Sequence, residues 1–286
     1  MTGAAAPADL PPIATRPIPS TGELLPVIGL GTYDVFDVDA TPAAQAPLVD
    51  VLSAFCAQGA RVVDSSPMYG RAEATVGTVA TAVRGADQLF YATKVWTHGA
   101  DTGIREMERS CRRLRVTRLD LMQVHNLVDW RTHLPALNAW RDAGRIRYLG
   151  ITHYHAGAHA ELARVMRTRQ FDCVQINYSI LEREAEETVL PLAAELGMAV
   201  IVNRPFAQGA LCRRMQGVPL PGWAKEIGCT SWAQMFLKYI LGHPAVTCVI
   251  PATGDPNHLA DNLAAGRGGW PDATLRRRMV EAIAAR

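Results

Sequence analysis

Along this chain, short all-apolar runs alternate with longer stretches in which apolar residues recur every three or four positions. The apolar runs near 27–31 and 61–64, and at 89–94, 119–125, 146–151, 172–177, 199–203 and 246–250, read as strands. The stretches at 42–58, 71–84, 102–115, 131–143, 156–169, 184–196, 231–241 and 256–265 read as helices. In the first of these Leu48, Val51, Leu52 and Phe55 share one face, and Gly59, Gly85, Gly144 and Gly197 stand where helices stop. The strands are apolar throughout rather than alternating, as parallel strands covered on both faces must be. Eight strands, each followed by a helix, in about 250 residues predict a (β/α)8 TIM barrel. A doubly wound sheet of about five or six strands would leave units over. The barrel is expected to occupy residues 23–286 as a single domain, ending in a helix near 271–286. The Ala/Pro-rich residues 1–22 lack a basic start followed by an apolar core, so they predict a disordered tail rather than an export signal.

Charge and cysteine usage narrow the function more than the fold. Lys+Arg 29 against Asp+Glu 27 is too balanced for nucleic acid or an anionic membrane, and small, electrically ordinary partners are expected. The six cysteines form no CxxC pair and no zinc-like cluster with histidines, which predicts a reduced, cytoplasmic protein without a metal. No apolar run is long enough to span a membrane. Lysine occurs only at 94, 225 and 238, so a lysine that closes a strand stands out.

Three consecutive strands close on groups able to hold or move a proton. Arg61-Val-Val-Asp64 leads into Ser65-Ser-Pro-Met-Tyr69, the next strand ends at Lys94, and Leu119-Asp-Leu-Met-Gln-Val-His125 ends at His125. These are strand C-termini, where barrel enzymes carry their chemistry. Reducing a carbonyl needs hydride at carbon and a proton at oxygen. Tyr69 can supply the proton if Lys94 stabilises the phenolate; Asp64 can hold the lysine, and neutral His125 can donate to the carbonyl oxygen. Each residue alone has an ordinary structural use, as a helix cap, a paired aromatic, a solvated charge or a core histidine. Their coincidence on one face favours chemistry. Gly29-Leu-Gly31 lacks the third glycine of a dinucleotide fingerprint. The long connection Arg204 to Thr230, leaving the seventh strand, is expected to cover the site.

Gly29-Leu-Gly-Thr-Tyr33, Val63-Asp-Ser-Ser-Pro-Met-Tyr-Gly70, Thr93-Lys94, Leu119 to His125 and Gly144-Arg-Ile-Arg-Tyr-Leu-Gly-Ile-Thr152 closely resemble the aldo-keto reductase superfamily, in order and at its spacing from Val27 to Asn262. The resemblance implies a (β/α)8 barrel with a nicotinamide cofactor across its C-terminal mouth, and a catalytic tetrad falling on Asp64, Tyr69 (acid/base), Lys94 and His125. It implies carboxamide contacts at Thr152, His153 and Gln175, with His153 replacing the usual asparagine. Further cofactor contacts fall on Gly31, Thr32, Tyr33 and Asp64, on Asn203, Arg204, Pro205 and Phe206, and on Pro251, Ala252, Thr253, His258, Asp261 and Asn262.

Two departures stand out. Asn203-Arg-Pro-Phe-Ala207 replaces Tyr-Ser-Pro-Leu-Gly, so stacking on the nicotinamide passes to Arg204 or Phe206. Ala252 and His258 replace the lysine and arginine that hold the 2′-phosphate, so NADPH is expected with a weak preference and NADH is possible. Tyr33, Met68, Trp96, Leu127 and Trp130 are expected to wall the pocket for a small carbonyl substrate. The rival readings are a nicotinamide-binding sensor barrel without turnover and a barrel lyase or isomerase using Tyr69 and Lys94 without hydride.

Overall fold

A computed structural model describes residues 10–284 of the chain. Two short strands, β1 (Thr15–Pro17) and β2 (Leu24–Pro26), pair antiparallel as a hairpin. Eight parallel strands follow: β3 (Leu30–Gly31), β4 (Val62–Asp64), β5 (Phe90–Val95), β6 (Leu119–His125), β7 (Ile146–Thr152), β8 (Cys173–Asn177), β9 (Ala199–Asn203) and β10 (Cys248–Val249). They neighbour one another in chain order, and parallel bridges Ile28–Val249 and Gly31–Ala252 join the last to the first. The sheet thus curls into the (β/α)8 barrel expected from the eight units. Closure depends on backbones meeting closely: Gly31 N donates to Pro251 O at 3.1 Å, and a Cβ on Gly31 would lie 2.8 Å from Ile250 O. Only glycine fits there.

Helices α1 (Pro42–Ala57), α2 (Ala72–Ala80), α3 (Ala100–Leu114), α4 (Trp130–Asp142), α5 (His159–Met166), α6 (Val189–Leu196), α7 (Ala210–Arg214), α8 (Trp232–Leu241), α9 (Pro256–Ala264) and α10 (Ala273–Ala284) complete the chain. Several starts are written in residues. Thr41 Oγ1 accepts from Ala44 N ahead of Pro42, Ser231 Oγ accepts from Gln234 N, and Asp255 Oδ1 accepts from Asn257 N ahead of Pro256. The helix expected over 184–196 is broken. A 3₁₀ turn at Glu184–Glu186 precedes α6, whose first turn contains Pro191. A continuous helix would drive that proline's ring into the carbonyl of Glu187, so the helix restarts with proline near its N-terminus. The stretch 156–169 likewise divides into a 3₁₀ turn at Ala156–Ala158 and α5.

Two apolar layers result. Between sheet and helices lies the main core, which includes Val51, Leu52, Val63, Met122, Leu149, Val200 and Leu237. Inside the barrel a smaller cluster gathers Val62, Phe90, Leu121, Tyr148, Cys173, Ile201 and Cys248 with Ile18 and Leu25 of the hairpin. The hairpin therefore plugs the end of the barrel opposite the strand C-termini, which corrects the expectation of a disordered tail over 1–22. Residues 1–9 of that stretch lie outside the described residues. Its residues 15–17 have a partner strand in 24–26, and Ile18 is completely buried. The plug is latched by polar contacts. Glu23 pairs with Arg147 and accepts from Tyr148 Oη at 2.7 Å, Arg147 also pairs with Asp120 at 2.9 Å, and Arg61 donates to Leu24 O at 2.7 Å. The composition of 1–22 hides this, because one buried isoleucine at the right position outweighs many small residues around it.

Burial makes the plug measurable. Ile18→Ala should destabilise the chain by about 2–4 kcal/mol, the usual cost of emptying a buried isoleucine site. Equilibrium unfolding of the two proteins checks it, and equal midpoints would show that the hairpin is ornamental.

Candidate active site

The inward-facing side chains change character up the barrel. Register places Ala92 beside Leu121 and Leu121 beside Tyr148, whereas one step higher Lys94 pairs with Gln123, and His125 with Thr152 beside Gln175. Strand alternation thus stacks an apolar layer beneath a polar one. The polar layer is built around Asp64, at the end of β4, and Lys94 on β5. Both are buried, with Lys94 Nζ 2.5 Å from Asp64 Oδ2 and donating also to Ser65 O at 2.7 Å. Asp64 Oδ1 accepts from Gln123 Nε2 at 3.0 Å and from Gln175 Nε2 at 2.8 Å. The carboxylate therefore has a partner on each of three other strands.

Tyr69 and His125 stand against this pair. Lys94 Nζ lies 4.9 Å from the centre of the Tyr69 ring, and the Tyr69 and His125 rings meet edge to face at 6.0 Å. Burial raises the Tyr69 pKa above its ordinary value, and the Lys94 charge opposes that rise. Burial works to lower the Lys94 pKa, but Asp64 and Tyr69 outweigh it and hold the ammonium above its ordinary range. Burial, assisted by the charge of Lys94, pushes His125 down to about 2, so the imidazole is neutral in any ordinary buffer. The structure thus brings together all four residues expected to carry the chemistry.

Three participants escaped the reading of the sequence. Gln123 and Ser65 complete the shell of the ion pair, and Ser66 Oγ lies 3.1 Å from His125 Nδ1. A signal existed for Gln123: it stands two residues before His125, hence on the same inward face of an otherwise apolar strand.

The remaining residues divide by location. Thr32 is buried, donating to Asp64 O at 2.9 Å and meeting Ser65 Oγ at 3.0 Å, so it braces β3 against β4. Gln175 is committed within the protein, its Oε1 accepting from Thr152 Oγ1 at 3.2 Å and Asn203 Nδ2 at 3.3 Å. Among the described residues Asn203 Oδ1, which is buried, has no partner. His153 Nδ1 accepts from Tyr154 N at 3.0 Å, and burial pushes its pKa down to about 4. Arg204 Nη1 donates to Tyr154 O at 2.8 Å, and Phe206 packs against Phe236.

Of the expected pocket wall, Tyr33, Met68 and Trp96 are exposed; Tyr33 meets Tyr69 edge-on at 5.1 Å and Trp96 lies 6.2 Å from His125. Leu127 and Trp130 instead join the core, 7% and 8% exposed, with Trp130 packed on Phe171. Closeness to His125 along the chain says nothing about direction, and Leu127 takes a left-handed turn (φ 58°) that turns the segment into α4.

A cavity of about 400 Å³ is lined by Phe206, Cys212, Met215 and Trp232 together with Ala252, Thr253, His258, Asp261 and Asn262. The long connection after β9 supplies its first three lining residues and carries α7 and a 3₁₀ segment at Gly222–Ile227. No lysine or arginine lines it. Both Asp261 oxygens are engaged, one by Ser231 Oγ and one by Gln234 Nε2, each at 2.6 Å. Among the described residues no group of three metal-ligating side chains comes together, and no helix is long and apolar enough to cross a membrane.

The sequence profile of the aldo/keto reductase family matches residues 27–268. Methylglyoxal reductase YeaE of Escherichia coli (strain K12) is 28% identical over 249 residues, covering 84% of this chain and 85% of that protein. Aldo-keto reductase YhdN of Bacillus subtilis (strain 168) is 27% identical over 213 residues, which take in 69% of this chain but only 63% of that relative. An aldo/keto reductase from Klebsiella pneumoniae, solved in complex with NADP and acetate, superposes with a TM-score of 0.77 at 25% identity, covering 92% of this chain and 93% of that one. With a profile spanning most of the barrel and the four strand-end residues assembled at its mouth, the chain belongs to the aldo/keto reductase family.

Proposed function

We propose that the chain reduces a small aldehyde or ketone to the alcohol, with NAD(P)H as hydride donor and Tyr69 as proton donor. Membership of the family makes it an NAD(P)H-dependent oxidoreductase. The observation that carries the finer reading is the placement of the Tyr69 ring over Lys94 Nζ, itself locked to Asp64 and buried beside a neutral His125.

Residues at the mouth fit the cofactor. Asn203 Oδ1, buried and unpartnered, is an acceptor of the kind a carboxamide N–H requires. The cavity adjoins the loops after the seventh and eighth strands and the start of α9, where barrels commonly receive phosphates. Bound nicotinamide supplies hydride to the carbonyl carbon. The Tyr69 phenol gives its proton to the carbonyl oxygen and is left as a phenolate, which the Lys94 ammonium stabilises. Asp64 keeps that ammonium in place and balances its charge in the dry interior. His125, neutral, can donate a hydrogen bond to the same oxygen without competing for the proton. Tyr33, Met68 and Trp96, exposed around this point, supply apolar surface for the rest of the substrate. Methylglyoxal reductases among the relatives, one of them NADH-specific, make small oxoaldehydes the first compounds to assay.

Tyr69→Phe should lower kcat by ~10²–10⁴-fold and leave cofactor binding nearly intact, the signature of a lost general acid. Stopped-flow reduction with a panel of aldehydes, alongside cofactor titration, measures both; a variant that keeps a third of its activity would remove Tyr69 from this role.

Lys94→Met tests the charge. Because Lys94 lowers the Tyr69 pKa against burial, its loss should shift the alkaline limb of the pH–rate profile upward and slow the reaction. His125 should contribute no limb above pH 5 in either protein, since its pKa lies near 2. A profile that stays where it was, at full rate, contradicts the assignment.

Cofactor choice follows from the cavity lining. Without a lysine or arginine there, the charged hydrogen bonds to a 2′-phosphate that sustain strong selectivity are missing, and NADPH should bind less than about a hundredfold more tightly than NADH. Dissociation constants for the two coenzymes decide it, and a thousandfold preference would demand a cation from elsewhere.

A further inference from the structure

His125 can serve the reaction as described only if its proton sits on the nitrogen that faces the substrate. A neutral imidazole has two tautomers, and the one present is set by the partner of the other nitrogen. The surroundings of Ser66 decide between them. Ser66 is wholly buried, and its hydroxyl oxygen lies 3.1 Å from His125 Nδ1. The same oxygen already accepts from Met68 N at 3.3 Å, while the Ser66 carbonyl accepts from Tyr69 N at 3.0 Å. Among the described residues His125 Nδ1 is the one acceptor within reach of the Ser66 proton. If Nδ1 carried the hydrogen, Ser66 would accept two bonds and its own buried proton would have no acceptor, an arrangement that folded proteins avoid. Among the described residues His125 Nε2, by contrast, has no partner, and it is open to solvent.

Resting on the reductase reading of this site, we propose that Ser66 is a positioning residue that donates its hydroxyl proton to His125 Nδ1 and thereby holds the imidazole as the Nε2–H tautomer, its free donor directed at the substrate carbonyl. The chain of contacts is short. The Met68 amide orients the Ser66 hydroxyl, the hydroxyl orients the ring, and Tyr69 follows directly in the same turn, with its own amide bonded to the Ser66 carbonyl. The proton donor and the carbonyl-orienting donor are thus set by one turn of backbone. A fixed imidazole needs no reorganisation as charge develops on the oxygen, which is where preorganised donors have their effect.

Nitrogen-15 spectra of histidine-labelled full-length protein, without cofactor, read the tautomer directly. The expected result at pH 6 to 8 is a single His125 species with the proton on Nε2 and Nδ1 shifted as a hydrogen-bond acceptor. In Ser66→Ala the Nδ1 resonance should move toward that of an unbonded nitrogen, and kcat should fall about three- to tenfold, the effect of one neutral hydrogen bond, with KM for the cofactor unchanged. Ser66→Cys, nearly the same size but a weaker donor, should lie between the two in both measurements. A wild-type spectrum with the proton on Nδ1 overturns the proposal, and so does a Ser66→Ala enzyme of unchanged kcat. Should Ser66→Ala fail to fold, the wild-type tautomer and the Ser66→Cys values decide alone. Should the wild type reduce no carbonyl at all, the reductase reading fails, whereas the nitrogen spectra still report whether Ser66 sets the tautomer.

Discussion

The ion pair of Asp64 and Lys94 is the constraint to which the upper half of the barrel conforms. Two opposite charges removed from water attract strongly, but their desolvation costs a comparable amount unless the remaining donors and acceptors are also met. They are met here by Ser65 O on the lysine and by the amides of Gln123 and Gln175 on the carboxylate. That requirement spreads. Gln175 in turn engages Thr152 and Asn203, so one buried pair makes polar a whole layer contributed by β4 through β9. Below it, Phe90, Leu121, Tyr148 and Ile201 can be apolar, and the hairpin residues Ile18 and Leu25 finish that layer from the far end. The plug is thus the counterpart of the site: it keeps water out from beneath, where an open barrel would hydrate the pair and weaken its attraction.

One ammonium group biases the protonation of two neighbours. Held 2.5 Å from Asp64, it pulls the Tyr69 proton toward release and pushes His125 further from accepting one. Burial acts on these two in different senses, raising the phenol and lowering the imidazole. The Tyr69 phenol is therefore kept protonated, whereas His125 is confined to the neutral state and can only donate or accept a hydrogen bond. The difference between the two groups arises from burial and a shared charge.

Much of the barrel was legible in the sequence because parallel strands must be apolar on both faces and must end where their helices begin. β6 and β9 fall on the expected residues, and Asp64, Lys94 and His125 stood out because they interrupt apolar runs at strand ends. What escaped needed the third dimension. Gln123 is given its place by the strand register, which sets it beside Lys94. Leu127 and Trp130 are neighbours of His125 in the chain, but left-handed turns at Asn126, Leu127 and Asp129 carry the segment into the core. The hairpin was obscured by composition, and the break before α6 lay in plain view at Pro191, where helical periodicity was given more weight than a single ring.

The cluster around Asp64 and Lys94 and the cavity beside α9 draw on different strands and loops of the barrel. On the side of β4 to β6, Asp64 bonds Lys94 and Gln123 at 2.5 and 3.0 Å, and the Tyr69 ring stands beside Lys94 and His125. On the side of β9 and the connection that follows it, Arg204, Ala207 and Gln208 take left-handed backbone angles, although none is glycine. Asn203 Oδ1 and Arg204 Nε lie buried there without partners. Strained backbone and unmet hydrogen bonds both cost stability; they coincide here beside the cavity, as they also do after β6, where Asn126, Leu127 and Asp129 are left-handed and Asn126 Oδ1 has no partner among the described residues. A fold tolerates such costs where a ligand, rather than the protein, completes the contacts. The first side is constrained by the ion pair and so is readable from residue types at strand ends. The second depends on loop conformation, which explains why the sequence points firmly to carbonyl chemistry and leaves the carbonyl itself to the assay.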